Sequence, residues 1–265
     1  MSIVSVSAAQ EDDWSSWPLG EKFSIGVNAF FPTLDTTVRL DSTNGDIGTS
    51  ISFEQNLGMA DTESLPSYVA DWRFAKKHNI TLGHYNLDRS GSAVTSSEIR
   101  FGDNVYEVDL PISSFFDTNV FSLAYSYSFL FDEKKRFAVS LGLSVQDVSM
   151  GLQGQTGAGV IAETSGITAP LPTIGISGGY AFSDKLTFRG GAGIFAFKLS
   201  LDNDEELDGQ TSVLVAGLFH RTFEHVQFGI AYNYFDVDVD FTDAGRLSEL
   251  DYTYHGPMIN VSAIF

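Results

Sequence analysis

The chain of 265 residues has no cysteine, which excludes disulfide frameworks, thiolate metal sites and cysteine nucleophiles. It is poor in positive charge. Fifteen Lys and Arg stand against 34 Asp and Glu, a formal net charge of -19, and so acidic a chain lacks the basic surface that nucleic acid requires. Charge of either sign is scarce at 18%, against about 25% in ordinary soluble domains. Long hydrophobic runs are missing as well. The longest stretch without charge, Thr164 to Ser183, holds Pro170, Pro172 and four glycines. A membrane-crossing helix needs about 18 or more consecutive apolar residues, so this stretch is not one. What abounds is glycine (25) and phenylalanine (22), in a chain that is 43% hydrophobic. That composition excludes a disordered acidic tail. The length fits one large all-β domain.

Apolar residues alternate with small or polar ones along almost the whole chain. Phe121, Leu123, Tyr125, Tyr127 and Phe129 form one such series; Phe137, Val139, Leu141, Leu143 and Val145 another; Val226, Phe228, Ile230 and Tyr232 a third. Successive strand side chains point to opposite faces, so each segment has one greasy face and one small, polar face. A soluble sandwich also alternates, but its outer faces usually carry Lys, Glu and Arg. Here the weaker face is Gly, Ala, Ser, Asn and Gln, as expected where lipid lies outside and a crowded polar lumen inside.

Tight, partly basic turns at 75–79, 132–136, 183–185 and 224–225 alternate with longer polar links at 151–166, 202–209 and 242–249. Short turns at one end and long loops at the other predict a closed antiparallel transmembrane β-barrel. Counting turns gives about ten strands, over 22–41, 66–75, 79–99, 105–130, 136–152, 168–183, 185–201, 209–222, 225–241 and 249–265. Segments 34–64 and 90–112 could each hold an extra hairpin, so eight or twelve strands remain open. Residues 1–20 read as a signal-peptide remnant and flexible segment, because Val6-Ser-Ala-Ala9 looks like the tail of a cleavage site. The barrel domain then covers 21–265. Several strands also switch apolar phase part way along, as from Val145 to Val148, Met150 and Leu152. This is expected to mark strands running on beyond the membrane, with bulges near the interface.

The chain ends Tyr252-Thr-Tyr-His-Gly-Pro-Met-Ile-Asn-Val-Ser-Ala-Ile-Phe265, with Ile259, Val261, Ala263 and Phe265 on one face. This resembles the C-terminal signal of bacterial outer-membrane β-barrel proteins. Trp72-Arg-Phe-Ala-Lys-Lys-His78 and Tyr232-Asn-Tyr-Phe-Asp236 resemble segments of small proteobacterial barrels. The resemblance spans roughly 20 to 265. It implies a Gram-negative outer membrane, both termini in the periplasm, and Phe265 read by the barrel-assembly machinery. It implies no activity and no cofactor. A monomer is expected.

Inward parity places Lys22, Asp71, Arg73 and Arg189, with Gln227 and Asn233, on the lumen side, where charges should pair. Asp236, Asp238 and Asp240 alternate on one strand face, and Asp202 to Asp208 form a second acidic group. Carboxylates suit calcium or magnesium, but the calcium-loop pattern is absent, so these three aspartates are weak metal candidates. The milder expectation is that acidic loops meet outer-membrane lipid and lipopolysaccharide through divalent cations. Gly175-Ile-Ser-Gly-Gly179 matches G-x-S-x-G but lies inside an alternating strand, without the strained turn and helix the motif needs. His84 and His255 lie mid-strand, and no spacing brings a serine or carboxylate to them. Three functions follow in order: a structural or binding barrel acting through acidic extracellular loops, a narrow channel for small polar or amphipathic solutes, and a lipid-modifying enzyme.

Overall fold

A computed structural model describes residues 13–157, 159–200, 206–243 and 246–265. The alternating segments form strands β1 (Phe23–Phe30), β2 (Thr33–Leu40), β3 (Ile51–Ser52), β4 (Leu65–Ala75), β5 (His78–Val94), β6 (Ile99–Phe101), β7 (Asn104–Tyr106), β8 (Pro111–Phe131), β9 (Lys135–Thr156), β10 (Gly159–Ala181), β11 (Leu186–Ser200), β12 (Glu206–Phe223), β13 (Val226–Asp243) and β14 (Arg246–Ile264). All their ladders are antiparallel. β1 and β2 lie one after the other along β14, so they act as one wall strand broken at Phe31-Pro32, where proline cannot donate to a ladder. The wall runs β1–β4–β5–β8–β9–β10–β11–β12–β13–β14 and closes where β14 pairs with β1, from Ser24 opposite Ile264 to Phe30 opposite Met258. The result is a closed antiparallel barrel of about ten strands, with short turns at one end and the long insertions 41–64 and 95–110 at the other; the links expected at 151–166, 202–209 and 242–249 instead continue the strands, β9 to Thr156, β10 from Gly159, β12 from Glu206 and β14 from Arg246. The segments that could have added hairpins to the wall instead place β3 and the β6–β7 hairpin above it.

In the short-turn half the large apolar side chains face outward and are exposed, among them Ile25, Trp72, Leu82, Phe121, Leu141, Ile176, Ile194, Leu218, Ile230 and Ile259. This belt is the lipid-facing surface. In the long-link half the preference reverses: Ile112, Phe116, Val148, Met150, Leu171, Val237, Val239, Leu250, Tyr252 and Tyr254 face inward and are buried. The parity of each strand continues through the reversal, as in β9, where Val145 faces out and Gln146, Val148 and Met150 face in. Among the described residues no bulge therefore accompanies the phase switch. The three register shifts, at Trp72/Ala75, Ser128/Leu130 and Arg221/Phe223, all lie beside short turns. What changes along a strand is the solvent, not the backbone: lipid outside the lower half selects apolar residues there, and water around the upper half selects them within.

The β10–β11 ladder ends at Ile174 opposite Ile194. Above it the wall divides into two leaves, β5–β8–β9–β10 and β11–β12–β13–β14–β2, with the apolar core between them. Phe116 of one leaf meets Tyr252 of the other edge to face, 6.5 Å between centroids. Helix α1 (Phe53–Asn56), whose Ser52 cap accepts the Gln55 backbone N–H at 3.2 Å, tucks Phe53 into the same core.

Candidate functional site

The lumen is where the two halves meet, and both of its ends are occupied. At the long-link end, Arg89 of β5 is 1% exposed and ion-pairs with Glu54 of α1. It also donates to Thr36 Oγ1 of β2 at 2.9 Å and to the Ala60 carbonyl at 2.9 Å. Tyr252 Oη donates to Gln146 Oε1 across the core. Higher still, Arg246 bonds Glu163 at 2.8 Å and the Asp41 carbonyl at 3.0 Å. These links fasten one leaf to the other over an apolar interior.

At the short-turn end, residues 13–22 fold back under the wall. A 3₁₀ turn (Trp14–Ser16) and Gly20 bring the chain round. A Cβ at Gly20 would stand 1.9 Å from the Trp14 carbonyl oxygen, so only glycine allows this approach. Trp14 and Trp17 pack edge-on against Phe131, and Leu19 is buried against Gly179. Residues 13–20 thus belong to the packed structure and are not a free tail; the expectation for 1–12 lies outside the described residues. Glu21 places its carboxylate inside the mouth, 2.6 Å from Arg189 and 3.4 Å from Arg221.

The residues expected to line the lumen divide. Arg73 is buried, donates to the Leu19 carbonyl at 3.3 Å and lies 4.7 Å over the Phe131 ring. Asp71 accepts from Thr81 at 2.6 Å and Asn79 at 3.2 Å, and does not pair with Arg73. Arg189 joins Glu21 to Gln227, which accepts from it at 3.3 Å and is buried. Asn233 faces inward beside Met258 Sδ, at 3.9 Å. Lys22 is a correction. It precedes the first ladder residue, lies exposed at the rim, and sets its ammonium 5.7 Å over the Trp14 ring. Arg136 and Arg221 share the inward parity but were not expected in the lumen: Arg136 stands where the turn at 132–136 meets its strand, and Arg221 one residue from the end of the strand expected over 209–222. Glu21 lies outside any strand, where alternation gives no signal.

Most of the other candidates sit on the outside. Asp236, Asp238 and Asp240 face outward on β13 above the aromatic girdle of Tyr232, Tyr234 and His255. Asp236 accepts from Thr253 at 2.8 Å, and Asp238 stands opposite Asp251. Among the described residues no group of three or more His, Asp or Glu side chains is placed to hold a metal ion. His84 stacks on Phe121, 4.2 Å between centroids, with Nδ1 3.1 Å from the Val120 carbonyl; His255 bonds Tyr232 Oη at 2.9 Å. Ser177 faces the lumen within an unbroken ladder. Phe265 is exposed beside His225 and Phe23, and its carbonyl accepts the Lys22 and Phe23 N–H groups at 2.9 and 3.0 Å.

No family model matches the chain, and no curated protein matches it. Among solved structures it is similar to the outer membrane protease OmpT from Escherichia coli, with a TM-score of 0.56 and 11% identity, over 91% of this chain and 97% of that one. Looser likenesses include the transport unit of the autotransporter AIDA-I from Escherichia coli (TM-score 0.43, 7% identity, 98% and 93% covered). Another is the toluene transporter TodX from Pseudomonas putida (TM-score 0.37, 9%, 92% and 89%). The closed wall, the apolar belt and the likeness to OmpT define the class: the chain has the fold of a bacterial outer-membrane β-barrel.

Proposed function

We propose that this protein is an integral outer-membrane barrel that is closed to solutes and acts through the two-leaf domain it holds above the lipid. One observation carries the reading. The lumen is sealed twice, by the apolar core and Arg89 clamp above and by residues 13–22 below. A conducting path needs a continuous polar lining, and an interior of packed Phe, Leu, Val and Tyr supplies none. The short turns and both termini face the periplasm, the long links face outward, and Phe265 is presented at the end where assembly begins.

The binding surface is the outer face of β12–β14 above the girdle. Register places Asp208 beside Asp240, Asp240 beside Glu249, and Asp238 beside Asp251, with Arg39 bonded to Glu249 at 2.8 Å. This sheet presents a negative field to a cationic partner, or to anionic lipid through diffuse divalent cations. A non-catalytic role fits the histidines, each of which uses Nδ1 on a tyrosine, a threonine or a carbonyl around the wall. Among the described residues the one carboxylate within 4.0 Å of a histidine is Glu224, 4.0 Å from His225 in an exposed turn. Refolded protein, shown to be folded by heat-dependent gel mobility, is expected to give no conductance steps in a planar bilayer. Stable steps would make it a channel and end this reading.

A further inference from the structure

The lower lumen holds more positive charge than its own carboxylates balance. Four arginines point into it, Arg73 from β4, Arg136 from β9, Arg189 from β11 and Arg221 from β12, and among the described residues two carboxylates face them, Glu21 and Asp71. Glu21 is committed to Arg189 and Arg221. Asp71 is committed to Thr81 and Asn79. Among the described residues neither Arg73 nor Arg136 has a carboxylate within 4.0 Å. Arg136 donates to Ser128 Oγ at 3.1 Å, and Arg73 has two carbonyls and the face of Phe131. Arg73 is 5% exposed, and its Nε is buried with no acceptor; the Nε of Arg189 is likewise without one.

The register draws these groups together. Arg136 and Arg189 both stand opposite Gly179, one on each side of it, and Phe131, on which Arg73 lies, is the cross-strand partner of Arg136. Gly179 contributes no side chain of its own there, and Leu19 lies over it. A guanidinium keeps its proton at any ordinary pH, so this excess cannot be removed by titration, and a buried charge without a partner costs several kcal/mol. Glu21 shows the remedy the site accepts: an oxyanion held by two arginines. A crevice of about 390 Å³ opens at the same end, lined by Ser16–Pro18, Glu133, Lys134 and Ala181–Asp184; the arginines lie behind its wall and do not line it.

We propose that Arg73 and Arg136, with Arg189 beside them, form a binding site for a small phosphate-class oxyanion at the short-turn mouth of the barrel. Guanidinium forks match the spacing of phosphate oxygens, and charge-assisted bonds of this kind are the strong ones. The anion completes the cluster that Glu21 only half neutralises. The site stands whether or not the barrel conducts.

Calorimetric titration of the folded protein in neutral detergent and chloride-free buffer tests this, with inorganic phosphate in one arm and a short-chain phosphatidic acid in the other. One saturable site is expected, weakened about tenfold or more in Arg136→Gln and unchanged in Arg100→Gln on the exposed β6–β7 hairpin. Arg73→Gln should act like Arg136→Gln; if it fails to fold, the partly exposed Arg136 decides alone. Phosphate binding identifies a free anion as the ligand, and binding of the lipid alone identifies a headgroup. No saturable binding in either arm, or binding indifferent to Arg136→Gln, would overturn the site.

Discussion

Glu21 sits between Arg189 and Arg221 although it belongs to no strand, and the seal at the mouth depends on it. Burial pushes its carboxyl up, but Arg189, its own backbone hydrogen bond and Arg221 outweigh that, and the net displacement is below the ordinary 4.5. A carboxyl lowered on folding adds stability above its unfolded value, and that stability is lost as pH falls through the folded one. The half-buried Trp14 and Trp17 should therefore keep their folded-state fluorescence down to about pH 4.5 and lose it on the acid side. Glu21→Gln should cost about 3 kcal/mol by guanidinium titration, because two arginines lose their carboxylate. Gly20→Ala should expose the same tryptophans while circular dichroism of the wall stays unchanged, since the added Cβ meets backbone and has no flexible neighbour to displace.

Strands of this barrel pass through two solvents, and substitutions on one strand should behave as if made in two proteins. Phe116, fully buried between the leaves, should cost about 3–5 kcal/mol on truncation to alanine, measured as a shift in the chemical unfolding midpoint. Asp251 lies on β14 above the girdle, outside the lipid belt. Desolvation, then Asp238 opposite it, raises its carboxyl to about 6. The sign is opposite to that of Glu21: an acid raised on folding weakens the fold while ionised, so stability should grow as pH falls from 7 to 5. Asp251→Asn should flatten that dependence and stabilise the protein at pH 8 by about 0.5 kcal/mol, the scale of one like-charged cross-strand pair. The strands themselves were legible because a period of two survives both solvents. The phase switch was legible as well, but bulge and inverted environment leave the same trace in a sequence, and only the unbroken register separates them. Helix α1 and the β6–β7 hairpin are too short for any period to announce them.

For the molecule as a whole, ten wall strands, closure and the lipid belt follow from alternation and turn lengths, which are local properties. The site does not. Parity finds Arg73, Asp71 and Arg189, but partners come from elsewhere in the ring: Glu21 meets Arg221 from the far end of the chain, and Arg89 meets Glu54 from an insertion. Lumen charges were expected to pair, but Asp71 takes a threonine hydroxyl and an asparagine amide, and Arg73 takes carbonyls and a ring. Composition reports an acidic protein, while its lower lumen is basic; an average over the chain hides a polarity that runs along the barrel axis, arginine within one half and carboxylates outside the other.

The seam between β1 and β14 joins the first wall strand to the last. Its ladder closes a loop of nearly the entire chain, the slowest kind of contact to form. Until residues 258–264 arrive, every other strand can pair with its sequence neighbour, yet the sheet keeps two raw edges and its belt faces water. Assembly is thus a race between zipping and aggregation that only the final strand can end, and the time the unsealed sheet can wait sets how much help the chain needs on its way into the membrane.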